Sequence, residues 1–169
     1  MKRIIIFLSA SVFALCGCHQ EAIVSSEPFG TLSTGEQATL WHLVNKNGAS
    51  MDVTDFGCRI VRICMPDRNG VMDDVVVGYG DLEMFETGDR FIGPVIGRFG
   101  NRIDNASFVL DGVRYDIDAN ENFGGEPVQC HGGKMGFDKF VWKGESIVEQ
   151  DRVGVRFYRL SPDGEQGYP

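Results

Sequence analysis

Asn101 and Arg102 follow one another at the end of a glycine-rich stretch, Gly93-Pro94-Val95-Ile96-Gly97-Arg98-Phe99-Gly100, and His131 stands directly before Gly132-Gly133. A primary amide both donates and accepts hydrogen bonds, and a guanidinium offers several donors in a fixed fork. An imidazole exchanges a proton near neutral pH. Glycine beside it lets backbone approach a bound molecule closely. Together these groups suit an uncharged ligand rich in hydroxyls. Each residue also has an ordinary alternative. Asn101 could close a turn, Arg102 could be a salt-bridged surface arginine, and His131 could be a satisfied turn histidine. Phe137, Trp142 and Tyr115 are read as core aromatics. Asp163 and Glu165 lie in a turn, where carboxylates are common without catalysis. No Cys-x-x-Cys or His/Cys spacing suggests a metal site.

The bulk numbers narrow the field. The 169 residues suffice for one domain, with 43% hydrophobic and 24% charged residues, the values of an ordinary globular protein. A net charge of −8 argues against nucleic acid as a partner. It also does not favour an anionic lipid surface. The first residues read as a targeting signal rather than fold. Lys2 and Arg3 precede an apolar run, Ile4 to Leu15, too short for a comfortable membrane span. The run ends Leu15-Cys16-Gly17-Cys18, which resembles a bacterial lipobox. Residues 1–17 are expected to be a lipoprotein signal peptide, with Cys18 the lipid attachment site. The alternative is a plain secretory signal with an incidental cysteine. Residues 18–36, polar and small, read as a tether. The expected location is the bacterial cell envelope, held to a membrane through the lipid alone. Cys58 and Cys64 fall in one apolar run, roughly 20 Å apart if that run is a straight strand, so a bond between them is not expected.

The elements that must position the site residues are strands. Ala38 to Val44, Ser50 to Asp55, Cys58 to Met65 and Val75 to Gly78 read as four. Asn47-Gly48 and the cluster Pro66-Asp67-Arg68-Asn69-Gly70 mark the turns between them. Leu82 to Glu86 reads as one helical turn. Val113, Tyr115 and Ile117 alternate with Arg114, Asp116 and Asp118, and Asp111-Gly112 links them to Ser107–Leu110 as a hairpin. Arg152 to Leu160 also alternates. After the signal no segment sustains a 3.6 period. The fold class is therefore all-β and antiparallel, over residues 37–169.

Four stretches, in order, resemble the aldose 1-epimerase (galactose mutarotase) family. They are Asn47 to Cys64 followed by Pro66-Asp67-Arg68-Asn69-Gly70; Gly93 to Ile103; His131-Gly132-Gly133 with Gly136-Phe137-Asp138-Lys139 and Val141-Trp142; and Ser161-Pro162-Asp163-Gly164-Glu165-Gln166-Gly167-Tyr168-Pro169. The resemblance implies an antiparallel β-supersandwich, and interconversion of the α and β anomers of a free aldose of the glucose or galactose class, with no cofactor. In that chemistry a base takes the proton from the anomeric hydroxyl and an acid protonates the ring oxygen. The ring opens, the C1–C2 bond turns, and closure from the other face inverts C1. Asn101, Arg102 and His131 match the family's sugar-binding residues. Arg98 does not belong to the matching Asn-Arg pair and is read as structural. The family's proton-donor histidine, proton-acceptor glutamate and sugar-gripping aspartate have no counterpart before Pro169, and neither His19 nor His42 stands in for that histidine. The sequence is therefore expected to be a catalytically incomplete N-terminal part. A lipid-anchored, non-catalytic sugar-binding module is the competing expectation. Cys58 and Cys130 stand where the family usually has alanine and leucine, replacements a core tolerates.

Overall fold

The computed structural model describes residues 21–88, 91–150 and 152–169. The expected signal peptide, Cys18 and His19 lie outside the described residues. Among those described, no helix is long and apolar enough to cross a membrane.

The largest unit is a five-stranded antiparallel meander in the order β1 (Ile23–Thr31), β2 (Gln37–Val44), β3 (Ser50–Thr54), β4 (Arg59–Pro66) and β5 (Met72–Asp74). Its turns are built from local polar chemistry. The Asn45 carboxamide oxygen accepts from the backbone N–H groups of Asn47 and Ala49 at 2.9 and 3.1 Å, closing the β2–β3 hairpin. Asp67 does the same for Asn69 and Val71 at 2.7 and 2.9 Å in the β4–β5 turn. Those two backbone donors hold its carboxyl below the usual range.

Two expectations are corrected here. Part of the expected tether is folded: Ile23–Thr31 is an edge strand paired along β2 from Ile23↔Val44 to Thr31↔Gln37. Its polar residues hide the alternation. Pro28, which donates no backbone hydrogen bond, sits at a bulge, where the register shifts between Pro28 and Gly30. The extra residue, Phe29, packs against the core. The fourth strand lies earlier than Val75 to Gly78. The tight turn at Asp67 brings the chain back at once, so Met72–Asp74 pairs with Cys64–Pro66. The Asp74 carboxylate then accepts from the N–H groups of Ile63 and Val76, both at 3.1 Å, and ends the ladder.

Helix α1 (Leu82–Thr87) is capped by Asp81, whose carboxylate accepts from the Met84 N–H at 2.8 Å. It buries Leu82 and Phe85 against Leu32, Ala38 and Phe56. The rest of the chain forms β6 (Arg102–Ile103), the hairpin β7 (Ser107–Leu110) and β8 (Val113–Asp116), β9 (Glu121–Phe123), β10 (Glu126–Cys130), and the hairpin β11 (Lys143–Val148) and β12 (Val153–Tyr158). β6, β10 and β9 make a three-stranded sheet in that order. β7 and β8 turn through Asp111 and Gly112, both in the left-handed region, as the Asp-Gly link requires. A second core of Ala106, Ile117 and Tyr168 lies beside Ile103 and Phe108. The β11–β12 hairpin packs on the meander through Trp41 and Phe157, edge to face at 6.4 Å. Cys58, Cys64 and Cys130 are free thiols. Burial first, and then Asp55, push the Cys58 thiol up to about 12.

A polar chain crosses the meander. His42 on β2 contacts Asp52 on β3 through Nδ1 at 2.8 Å and Glu27 on β1 through Nε2 at 3.2 Å. Arg62 on β4 donates to the other Asp52 oxygen at 2.8 Å. The Asp52 hydrogen bond raises the His42 pKa above its ordinary value against the opposing effect of burial, and Glu27 adds to the rise. A raised folded-state pKa stabilises the fold fully below the unfolded value of about 6.5, and that contribution fades as pH rises through the folded pKa. The expected outcome is that the thermal midpoint of the wild type falls relative to that of His42→Gln as pH is raised from 6 toward 8. Parallel midpoints across that range in scanning calorimetry would contradict the assignment.

Candidate functional site

The glycine-rich loop reaches the site by threading between two parts of the fold. Its start is held to the meander: the Ile60 N–H donates to the Gly93 carbonyl at 3.0 Å, and the Val95 N–H to the Gly57 carbonyl at 2.9 Å. Its middle is held to the segment after β10: the Phe137 N–H donates to the Gly97 carbonyl at 3.2 Å. The glycines make this approach possible. A Cβ on Gly132, where φ is +90°, would be driven into the Gly97 carbonyl, and a Cβ on Gly97 would enter the Phe137 ring. Arg98 points away from Asn101 and donates to the Ser161 hydroxyl at 2.8 Å and to backbone carbonyls of Ser161, Pro162 and Pro169. In this conformation it ties the loop to the last residues.

Asn101 and His131 hold each other. The His131 N–H donates to the Asn101 carbonyl at 3.0 Å, and the Asn101 N–H donates to His131 Nδ1 at 3.1 Å. Both residues are left-handed, with φ of 69° and 55°. Strain of this kind costs energy and persists where neighbouring contacts fix it. Because Nδ1 accepts, the neutral ring carries its proton on Nε2 and can donate it. The ring lies against Phe91, 4.5 Å between centroids.

Arg102 pairs with Cys130 across β6 and β10. Its guanidinium donates from Nη1 to the Asn101 side-chain oxygen at 3.0 Å and from Nη2 to Glu121 Oε1 at 2.8 Å. The Phe123 ring lies 4.8 Å from it. Glu121 raises the Arg102 pKa, and Arg102 lowers that of Glu121. The neighbouring Cys130 thiol lowers the Glu121 pKa further. An open cleft of about 650 Å³ is lined by Asn101 and Arg102 together with Phe99, Asp104, Phe123 and Val128. That volume suits a monosaccharide. His131 contacts Asn101 at the edge of the site and is not itself among the residues lining this cleft.

Glu121, Phe123 and Phe91 escaped the sequence reading. For the first two the sequence signals a shared strand face, though not their place beside Arg102. Gly124-Gly125 marks a turn, and residues two apart on the strand before it share a face. Asp138, read as serving the loop after His131, is buried and reaches Arg59, itself almost fully buried, at 3.5 Å. Arg59 also donates to the Asp138 carbonyl at 3.1 Å and to the Ile92 carbonyl at 3.3 Å. Burial pushes the Arg59 pKa down, and Asp138 opposes that shift. Glu165 is held by Arg159 and Ser161 and kept below its ordinary pKa chiefly by Arg159. Among the described residues no cluster of side chains could hold a metal ion.

Solved structures place this architecture. Galactose 1-epimerase from Lactobacillus acidophilus superposes with a TM-score of 0.73 at 18% identity, over 88% of this chain and 42% of that one. An aldose epimerase homologue from C. elegans gives 0.62 at 28% identity, over 75% of this chain and 37% of that one. The fold is thus the all-β galactose mutarotase type. The aldose 1-epimerase profile matches residues 39–169, so the chain belongs to the aldose 1-epimerase family. The galactose mutarotase of Mus musculus is 36% identical over 146 residues, 86% of this chain and 40% of that protein. The aldose 1-epimerase of Escherichia coli is 31% identical over 80% of this chain and 37% of its own length. The chain therefore spans about 40% of the length of the mouse relative.

Replacing Gly132 with alanine sets a side chain against the Gly97 carbonyl in a conformation that disfavours it. The expected cost is about 3 kcal/mol or more of unfolding free energy, from overlap and strain together. A urea midpoint unchanged in Gly132→Ala would show that the close approach is not a constraint.

Proposed function

We propose that this chain is the sugar-holding N-terminal part of an aldose 1-epimerase acting on a free aldose of the glucose or galactose class. The carrying observation is the reciprocal hydrogen bonding of Asn101 and His131, with Arg102 fixed beside them on an open cleft. In this reading Arg102 and Asn101 engage sugar hydroxyls, and the Nε2–H of His131 donates to a sugar oxygen. Ring opening and reclosure consist of proton transfers, so they need a base at the anomeric hydroxyl and an acid at the ring oxygen, and no cofactor. The proton-donor histidine, the proton-acceptor glutamate and a gripping aspartate belong, in this proposal, to sequence outside the 169 residues. Family membership over residues 39–169 supports the assignment, and the three holding residues all fall within that span.

Polarimetry on freshly dissolved α-galactose tests it. The 169-residue chain should leave mutarotation at its spontaneous rate. The same chain continued through the downstream reading frame should accelerate it, and Arg102→Ala should lower kcat/KM by roughly tenfold or more, the worth of a charged hydrogen bond. Turnover by the 169 residues alone would misplace the acid and base. A continued chain that binds galactose without accelerating the rotation would favour the non-catalytic, lipid-anchored module instead.

The N-terminal pattern leads to a second part of the proposal. Lys2, Arg3, the apolar run and Leu15-Cys16-Gly17-Cys18 make Cys18 a lipid-bearing residue in a bacterial cell envelope. Metabolic labelling with a fatty acid should mark the wild type and not Cys18→Ala, and the variant should leave the membrane fraction. Equal labelling of both would remove the anchor from the account.

A further inference from the structure

The β9–β10 hairpin carries two residues that surround Arg102 without belonging to the Asn-Arg or His-Gly-Gly stretches. Glu121 supplies the only carboxylate in contact with the guanidinium among the described residues, at 2.8 Å from Nη2. Phe123 lies 4.8 Å from the guanidinium and lines the cleft. The hairpin itself is pinned near its base. The Asn120 amide donates to the Cys130 carbonyl at 3.0 Å and accepts from the Cys130 N–H at 2.7 Å. Val128 pairs with Glu121 across it.

An arginine side chain has large rotamer entropy, much of which is lost whenever it must hold one geometry on binding. Arg102 is partly exposed, so packing alone does not hold it. Three contacts do: Asn101 on Nη1, Glu121 on Nη2 and the Phe123 ring. The remaining N–H groups are then available to a ligand in the cleft without a search. A ligand that meets a donor already oriented binds more tightly than one that must order it.

We propose that Glu121 is a positioning residue of the sugar site, acting through Arg102, with Phe123 as the wall that fixes the plane of the guanidinium. This deepens the proposed function and rests on Arg102 being a sugar contact. The orienting role itself is a property of the chain before any sugar binds, so the two can be separated by experiment.

The test uses the chain continued through the downstream reading frame, with 15N-labelled arginine, alone and titrated with galactose. In the absence of sugar, the Arg102 guanidinium should show slowed rotation of its Nη groups. Glu121→Gln should abolish that signature, and Glu121→Asp should restore part of it. On titration, Glu121→Gln should weaken galactose binding roughly tenfold, the worth of a charge-assisted contact. The double variant Glu121→Gln/Arg102→Ala should bind no more weakly than Arg102→Ala alone. An Arg102 signal unchanged by Glu121→Gln overturns the proposal whatever the sugar does. Additive losses in the double variant overturn it too, because Glu121 would then act on its own. If the Arg102 signature responds to Glu121 but galactose binds neither the wild type nor any variant, the orienting contact stands and the sugar reading falls. Phe123→Leu, which keeps the hairpin apolar, should broaden the Arg102 signal without altering the thermal midpoint.

Discussion

Arg59 is the constraint on which the arrangement hangs. A guanidinium almost fully out of water is tolerable only if it is neutralised and hydrogen-bonded. Arg59 meets that demand through its two terminal nitrogens, while its Nε stays unpaired, and in doing so it draws three separate parts of the chain together. It starts β4, it binds the carbonyl of Ile92 at the entry of the glycine-rich loop, and it binds both the carbonyl and the carboxylate of Asp138 in the segment after His131. Phe56 and Phe85 flank it at 5.2 and 5.6 Å, which ties the same charge to the apolar core beneath helix α1. Removing one partner would strand the other in a low dielectric, a far larger penalty than the pair's net worth. The loops bearing Asn101 and His131 are therefore located by a buried ionic contact that does not itself line the cleft.

What that contact brings together, the glycines allow to touch. A Cβ on Gly132 would strike the Gly97 carbonyl and one on Gly97 would strike the Phe137 ring, and the hydrogen bonds between Asn101 and His131 form beside this approach. Site geometry here is mainly a property of backbone. The two left-handed residues, the two reciprocal bonds and the pairing of Arg102 with Cys130 set the side chains before any ligand is present. Cys130 shows how tightly packing and site are joined. Burial first, and the neighbouring Glu121 next, push its thiol pKa up, which disfavours the nucleophilic thiolate.

Much of the fold was legible in the residues. β2, β3 and β4 announced themselves by apolar runs between strong turn signals, and the β7–β8 hairpin by its period-two alternation around Asp-Gly. β1 did not, because an edge strand with one solvent side and a proline at a bulge has little apolar pattern to show. β5 was displaced because a valine run has high strand propensity, while the Asp67 turn, a matter of side-chain-to-backbone bonding, decides where pairing begins. β9 and β10 are short and polar, and they exist because β6 and the Asn120 amide hold them. The site divides in the same way. Asn101, Arg102 and His131 could be named from motif and chemistry, since those side chains sit in recognisable stretches. Glu121 and Phe123 could not, because nothing local connects them with an arginine 19 residues away. The pairing of β6 with β10, a long-range fact, makes the connection.

The edges of the five-stranded meander carry a consequence of their own. One is β5, three residues long, with two aspartates. The other is β1, where Pro28 removes a backbone donor and the Phe29 bulge breaks the row of evenly spaced groups. A sheet recruits a neighbour when it presents a long, regular line of unpaired amides, and neither border offers one. Each border of this meander thus resists taking on a strand from a second copy, because each ends the ladder by its own covalent chemistry.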